Sequence, residues 1–188
     1  MIEFIKKTIF LFILIIILPL ISFAQSKFQF HMPDGWINVT EIKSEAVPPM
    51  LLELLKNPKN ISVVADPKTF KTENPAYAMV VTEKLDIPYG EQYLKIFSTQ
   101  LAGMYKKYKD TKILNKKIET VNGVMVFRFL IENKYIEQGK TKSFRILQYI
   151  VPYGRSGATL GYSCESGQYK KYLAVFEDSV AKTVLNPQ

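Results

Sequence analysis

The chain has 188 residues, a formal net charge of +8 at pH 7 and a single cysteine, Cys164. One thiol excludes a disulfide framework, so folding must rest on a hydrophobic core. One cysteine and one histidine, His31, are also too few for a structural zinc site. The 11 tyrosines and 12 phenylalanines argue against a disordered chain.

The N-terminal segment has the pattern of a secretory signal peptide. Two lysines precede an unbroken apolar run, Ile9–Leu18, which Pro19 interrupts, and small residues follow around Ala24. The run is shorter than the about 20 apolar residues that a membrane span needs. We therefore expect residues 1–24 to be a cleaved signal peptide and residues 25–188 to form one exported domain, periplasmic or secreted. Export makes a nucleic-acid partner unexpected.

The first half of the domain combines short strands with a short helix. A Pro-Asp-Gly turn is predicted before Trp36, and Asp66–Pro75 reads as a long polar loop. The helix Pro48–Lys56 begins with two prolines, whose missing N–H groups cost little at a helix start. The predicted strands are Lys27–His31, Ile61–Ala65 and Ala76–Thr82.

The second half contains two longer helices and a meander of strands. Apolar residues recur at i+3 and i+4 spacings along both helices, which is typical of one buried face. Asn122-Gly123 is a strong type I′ hairpin signal. The predicted elements are the helix Glu91–Tyr108, the strands Ile113–Val121, Val124–Tyr135, Thr141–Val151 and Ala158–Cys164, and the helix Tyr169–Val184.

Charged residues predict the register of these strands. A two-residue turn at Gln-Gly sets Glu132 opposite Arg145, which is a favourable pair. The same arithmetic about Asn-Gly sets Lys117 opposite Arg128, which is unfavourable, and Glu119 would relieve it from a diagonal position.

The central strands decide the fold class. Val124–Tyr135 and Thr141–Val151 contain apolar runs rather than a clean alternation, so both of their faces are expected to be covered. The prediction is an α+β fold, an α/β/α sandwich with a central, mainly antiparallel sheet flanked by helices on both faces.

The opening Phe28–Trp36, a strand followed by Pro-Asp-Gly-Trp, resembles that of the PsbP-like superfamily, which includes the photosystem II extrinsic protein PsbP and bacterial DcrB-like exported proteins. The later order of helix, Asn-Gly hairpin, long strands and final amphipathic helix is also similar. The resemblance implies an α/β/α sandwich, export, and a non-enzymatic binding or assembly role without a cofactor or a shared catalytic centre.

A basic run is the surface feature best suited to binding. Most such runs are solvated faces, and the functional alternative is an anion-attracting patch. We expect an unknown protein or an anionic envelope component as partner, weak contact with a membrane surface, and a monomer. The candidate residues are Lys106, Lys107, Lys109, Lys112, Lys116 and Lys117, with Arg155 in a glycine-flanked loop.

Two alternatives stay open. The first is a small exported hydrolase that uses His31 with Cys164 or Ser163, although Gly-x-Ser-x-Glu lacks the last glycine of a nucleophile elbow. Cys164 itself is predicted to be a half-buried, inert thiol. The second is a membrane-surface factor that keeps its N-terminal segment as an anchor or inserts the Leu51–Leu55 helix. A hard-cation site near His31, Asp34 and Glu41 lacks a loop signature, and surface carboxylates are expected there.

Overall fold

A computed structural model describes residues 27–55, 61–84, 91–106, 110–137, 140–153 and 156–186. The predicted signal peptide, the Gln138-Gly139 turn and Arg155 lie outside these ranges. The strands are β1 (Lys27–Gln29), β2 (Ile37–Asn38), β3 (Ile61–Ala65), β4 (Tyr77–Lys84), β5 (Thr111–Val121), β6 (Val124–Glu137), β7 (Lys140–Tyr153), β8 (Ser156–Glu165) and β9 (Val184–Asn186). The α-helices are α1 (Pro49–Leu55), α2 (Glu91–Lys106) and α3 (Tyr169–Lys182).

Seven strands form one large sheet in the order β2-β3-β4-β8-β7-β6-β5, and every neighbouring pair is antiparallel. β1 and β9 pair separately as a two-stranded antiparallel sheet. The mainly antiparallel central sheet predicted from the sequence is therefore present.

The predicted hairpin and register are confirmed. Asn122 and Gly123 have φ angles of 50° and 78°, the positive values that a type I′ turn requires. Glu132 lies opposite Arg145, and Lys117 lies opposite Arg128. The Glu119 carboxylate lies 3.8 Å from the Arg128 guanidinium, which offsets the like-charge pair.

Successive residues of β6 join different hydrophobic clusters, because successive side chains of a strand point to opposite faces. Val124 and Val126 belong to a cluster with Tyr172 and Phe176 of α3, here called the α3-side cluster. Residues of the other parity belong to a cluster with Leu94 and Ala102 of α2, here called the α2-side cluster; they are Phe127, Phe129 and Ile131. Both sets are buried, as the unalternating apolar pattern predicted.

The leucine-rich helix α1 packs over the β3 end of the sheet. Leu51 is fully buried in a cluster with Val63, Ala65 and Phe70. The helix therefore covers part of the hydrophobic core. In the described part of the chain, no helix is long and apolar enough to cross a membrane.

The chain ends its first strand and its last helix earlier than predicted, for a shared reason. The backbone N–H of His31 donates to Thr183 Oγ1 over 3.2 Å, and the His31 carbonyl accepts from Ser179 Oγ. β1 therefore stops at Gln29 so that the chain can bind the end of α3. Thr183 takes an extended conformation, and Val184 begins β9 instead of continuing the helix.

Candidate functional site

The polar segment Asp66–Pro75, here called the 66–75 loop, is closed at its base by hydrogen bonds. The Asp66 N–H donates to the Ala76 carbonyl over 3.0 Å, and the Ala76 N–H donates to Thr69 Oγ1 over 2.9 Å. The two ends of the loop thus meet where β3 gives way to β4. The residues between these two ends, including the exposed Lys68 and Lys71, are therefore held in place relative to β3 and β4.

Asp66 anchors this loop to α3. Its buried carboxylate accepts a hydrogen bond from the Tyr172 hydroxyl over 2.6 Å and another from the Lys68 N–H over 2.9 Å. Burial, and then the neighbouring Asp66 carboxylate, raise the pKa of Tyr172 to about 12. The hydroxyl therefore keeps its proton at neutral pH and acts as the donor.

A cavity of about 270 Å³ lies beside this anchor. Trp36 and Tyr172 form part of its apolar wall, while Lys68 and Lys171 contribute ammonium groups, and Asp34 contributes a carboxylate. Lys171 Nζ lies 5.3 Å from the Tyr172 ring centroid, where an aromatic face attracts a cation. The cavity can therefore bind a polar group against an aromatic wall.

A second cavity of about 240 Å³ lies at the other end of the same loop. There Glu73 pairs with Lys142 of β7 over 2.5 Å, and the buried Asn74 side chain donates to Glu165 of β8 over 2.9 Å. The loop is thus tied to the large sheet at this end and to α3 at the other, with a concave surface on each side.

The predicted basic run does not form one face. Lys106 is exposed at the end of α2, and Lys112, Lys116 and Lys117 are exposed on β5. Because Lys116 and Lys117 are consecutive in a strand, they point to opposite faces of the sheet. Lys117 also forms an ion pair with Glu119. Lys107 and Lys109, like Arg155, lie outside the described residues.

The residues of the hydrolase alternative have separate surroundings. Ser163 and Cys164 are consecutive in β8, so their side chains lie on opposite faces. Cys164 is buried close to Tyr172, which lies in the first half of α3. The backbone of His31, in contrast, is hydrogen-bonded to Ser179 and Thr183 at the C-terminal end of α3. Seven residues of helix separate Tyr172 from Ser179, which is about 10 Å.

The Cys164 thiol is poorly suited to act as a nucleophile. Burial raises its pKa to about 12, against a smaller opposing effect of Arg145. A thiol with such a pKa holds almost no thiolate at neutral pH, and the thiolate is the reactive form. The structure places Cys164 deeper than the half-buried position predicted, at 1% exposure.

The two carboxylates near His31 have different partners. Asp34 lies 3.5 Å from Lys182 Nζ and 3.7 Å from His31 Nε2, while Glu41 accepts a hydrogen bond from the Asn38 amide over 2.8 Å. Within the ranges that the structure describes, no group of three or more His, Cys, Asp or Glu side chains is placed to hold a metal ion.

The anchoring pairs of the 66–75 loop were not foreseen from the sequence. Asp66 and Tyr172 are 106 residues apart, and Asn74 and Glu165 are 91 residues apart. The i+3 and i+4 spacing of apolar residues in the last helix predicts a buried face and gives no partner for the Tyr172 hydroxyl. The one available signal was an acidic residue directly after an apolar strand, which does not identify a partner.

Comparison with known proteins found similarity of structure but no match of sequence. No family model matches the sequence, and no curated protein sequence matches it. LpqN of Mycobacterium tuberculosis, described as involved in cell envelope biogenesis, is similar with a TM-score of 0.55 and 13% identity, over 89% of this chain and 88% of LpqN. Cyanobacterial PsbP (CyanoP) from Synechocystis sp. PCC 6803 is similar with a TM-score of 0.51 and 12% identity, over 88% of this chain and 95% of CyanoP.

A third solved structure covers less of the chain. It is PA94 from Pseudomonas aeruginosa, a protein of unknown function, with a TM-score of 0.51 and 12% identity over 68% of this chain and 84% of PA94. At identities of 12–13%, these three structures establish the fold and leave the activity open.

Proposed function

Because the chain has the PsbP-like fold, we propose that it is an exported, non-enzymatic binding or assembly module that acts through its 66–75 loop. The three hydrophobic clusters would then fill the two interfaces between the layers of an α/β/α sandwich, with α3 on one face of the sheet and α1 with α2 on the other. The domain is proposed to work as a monomer without a cofactor.

The observation that carries this proposal is the anchoring of the 66–75 loop between two cavities. Asp66 binds Tyr172 of α3, and Asn74 binds Glu165 of β8. A loop held at both ends loses little conformational entropy when a partner binds, so more of the contact energy appears as affinity. Surface loops positioned by a rigid frame are also where binding residues are concentrated.

Export is supported by the N-terminal signal pattern and by the description of LpqN as involved in cell envelope biogenesis. The partner is proposed to be a protein or an anionic component of the envelope. Lys106, Lys112 and Lys116 would add long-range attraction to such a partner or to an acidic membrane surface. N-terminal sequencing of the protein recovered from its host tests the export step, since a start at Gln25 is expected.

The binding test uses two neighbouring lysines of α3. Lys171 lines the first cavity, and Lys170 is exposed next to it. We expect Lys171→Glu, alone or with Lys68→Glu, to abolish capture of a partner from envelope extract. Lys170→Glu makes the same change of charge and should leave capture intact. Absence of any partner at low and physiological salt, or equal loss in both variants, would contradict the proposal.

A further inference from the structure

A second polar cluster lies on the other flank of α3 from the 66–75 loop. Arg128 of β6 lies directly opposite Tyr149 of β7, and Arg145 lies directly opposite Cys164 of β8. Residues paired in this way share a face of the sheet, and Tyr149 and Cys164 both belong to the α3-side cluster. Tyr169, the first residue of α3, lies over this part of the sheet.

Tyr169 carries a buried donor for which the described residues supply no acceptor. The residue is 5% exposed, and its hydroxyl has no hydrogen-bond partner in the part of the chain that the structure describes. The Arg145 guanidinium carbon lies 5.3 Å from the Tyr169 ring centroid. Burial, the larger effect, raises the pKa of Tyr169, whereas the positive charges of Arg128 and, to a smaller extent, Arg145 act to lower it. The hydroxyl therefore keeps its proton.

Both guanidinium groups have N–H donors to spare. Arg128 donates from Nε to the Tyr149 hydroxyl over 3.2 Å, while Arg145 Nε is buried without a hydrogen bond among the described residues. The neighbouring carboxylates lie at 3.6 Å for Glu177, 3.7 Å for Glu132 and 3.8 Å for Glu119. These distances allow attraction but exceed the 2.7–3.2 Å of a direct hydrogen bond.

We propose that Arg128, Arg145 and Tyr169 form a binding site for a tetrahedral oxyanion of the phosphate class. Unpartnered donors at a buried position cost free energy, and an oxyanion would satisfy them at once. The donors are carried by β6, β7 and α3. A phosphate-class ion has enough acceptor oxygens to bind all three at once, whereas a carboxylate has only two. Glu177, whose side chain is 52% exposed, competes for Arg128 and has room to move aside.

Titration calorimetry on the full-length protein tests this site with two probes, inorganic phosphate and glycerol 3-phosphate. We expect Arg128→Gln and Tyr169→Phe each to weaken binding about tenfold, the usual effect of losing one charge-assisted hydrogen bond. Tyr169→Phe keeps the ring under Arg145, so a loss there reports the hydroxyl. Glu177→Gln should strengthen binding, because it removes the competing carboxylate.

Lys43→Gln is the matched control. It removes one positive charge from an exposed position after β2, at the other edge of the large sheet from β5, and should leave binding unchanged. Tighter binding of glycerol 3-phosphate would assign an esterified phosphate such as a lipid headgroup, and tighter binding of inorganic phosphate would assign the free ion. No binding of either probe at about 10 mM, equal loss in Lys43→Gln, or no gain in Glu177→Gln would overturn the proposal.

Discussion

The two faces of the large sheet are built from different kinds of side chain. The α2-side cluster is almost entirely hydrocarbon, and Phe127 and Phe129 meet edge to face with ring centroids 4.3 Å apart. The α3-side cluster contains buried hydroxyls that make specific bonds, as Tyr162 does with Ser179 over 2.9 Å. The α2-side face thus stabilises the sheet chiefly through packing, with a hydrogen bond from the Tyr105 hydroxyl of α2 to Gln148 of β7 over 2.9 Å. The α3-side face also fixes the position of α3 and of the loop bound to it.

Phe129→Ala should have the largest effect on stability, because it opens a cavity in the face that depends on packing. Phe129 is fully buried. We expect the free energy of unfolding to fall by about 3–5 kcal/mol, measured by urea denaturation. Ile118→Ala, on the same face but 38% exposed, serves as the control and should cost much less. Equal losses would show that this face is not closely packed.

Tyr172→Phe should cost about 1.5–3 kcal/mol, because the lost hydrogen bond goes to a buried carboxylate. Tyr162→Phe is the matched change on the same face. Its partner Ser179 still donates to the His31 carbonyl, so the cost should be nearer 1 kcal/mol. The same denaturation measurement separates the two, and equal costs would contradict the anchoring role of Asp66.

The α3-side face should also make stability depend on alkaline pH. The folded-state pKa values of Tyr149 and Tyr172 are raised, chiefly by burial, from 10.0 to about 12. A raised pKa contributes stability that is complete below about pH 10. That contribution is lost as the pH rises towards 12, since the unfolded chain releases these protons first. Denaturation across this range should show the fall, with a shallower slope in Tyr172→Phe and an unchanged slope in Phe129→Ala.

Labelling of Cys164 tests the packing of the α3-side face at a single position, and it involves the smallest change to the protein. The thiol is buried in the α3-side cluster, with a pKa raised by burial to about 12. Ellman's reagent at pH 8 should therefore label the folded protein far more slowly than the urea-unfolded protein. Fast labelling of the folded protein would mean that the α3-side face opens readily, and it would revive Cys164 as a candidate nucleophile.

The sequence predicted the fold best where one local signal decided the structure. Asn122-Gly123 fixed the β5–β6 hairpin, and the charge pair of Glu132 with Arg145 fixed the β6–β7 register. The pairing of β9 with β1 was missed, because three residues carry little pattern and their partner is at the other end of the chain. Val184 was accordingly assigned to the final helix rather than to β9.

The candidate site was less predictable because it depends on contacts between distant residues. The 66–75 loop was visible as polar sequence, but its anchor to Tyr172 has no local signal. The basic run shows a different failure. Lys116 and Lys117 were grouped by proximity in sequence, although the two-residue period of a strand already separates them onto opposite faces.

The pairing of β1 with β9 brings Lys27 opposite Asn186. A short linker joining these two positions would suit circular permutation, with the chain reopened in an exposed turn such as Asn122-Gly123. Reopening there removes the covalent link between β5 and β6 while retaining both strands. Refolding of such a permutant would show whether the large sheet assembles without its Asn122-Gly123 turn.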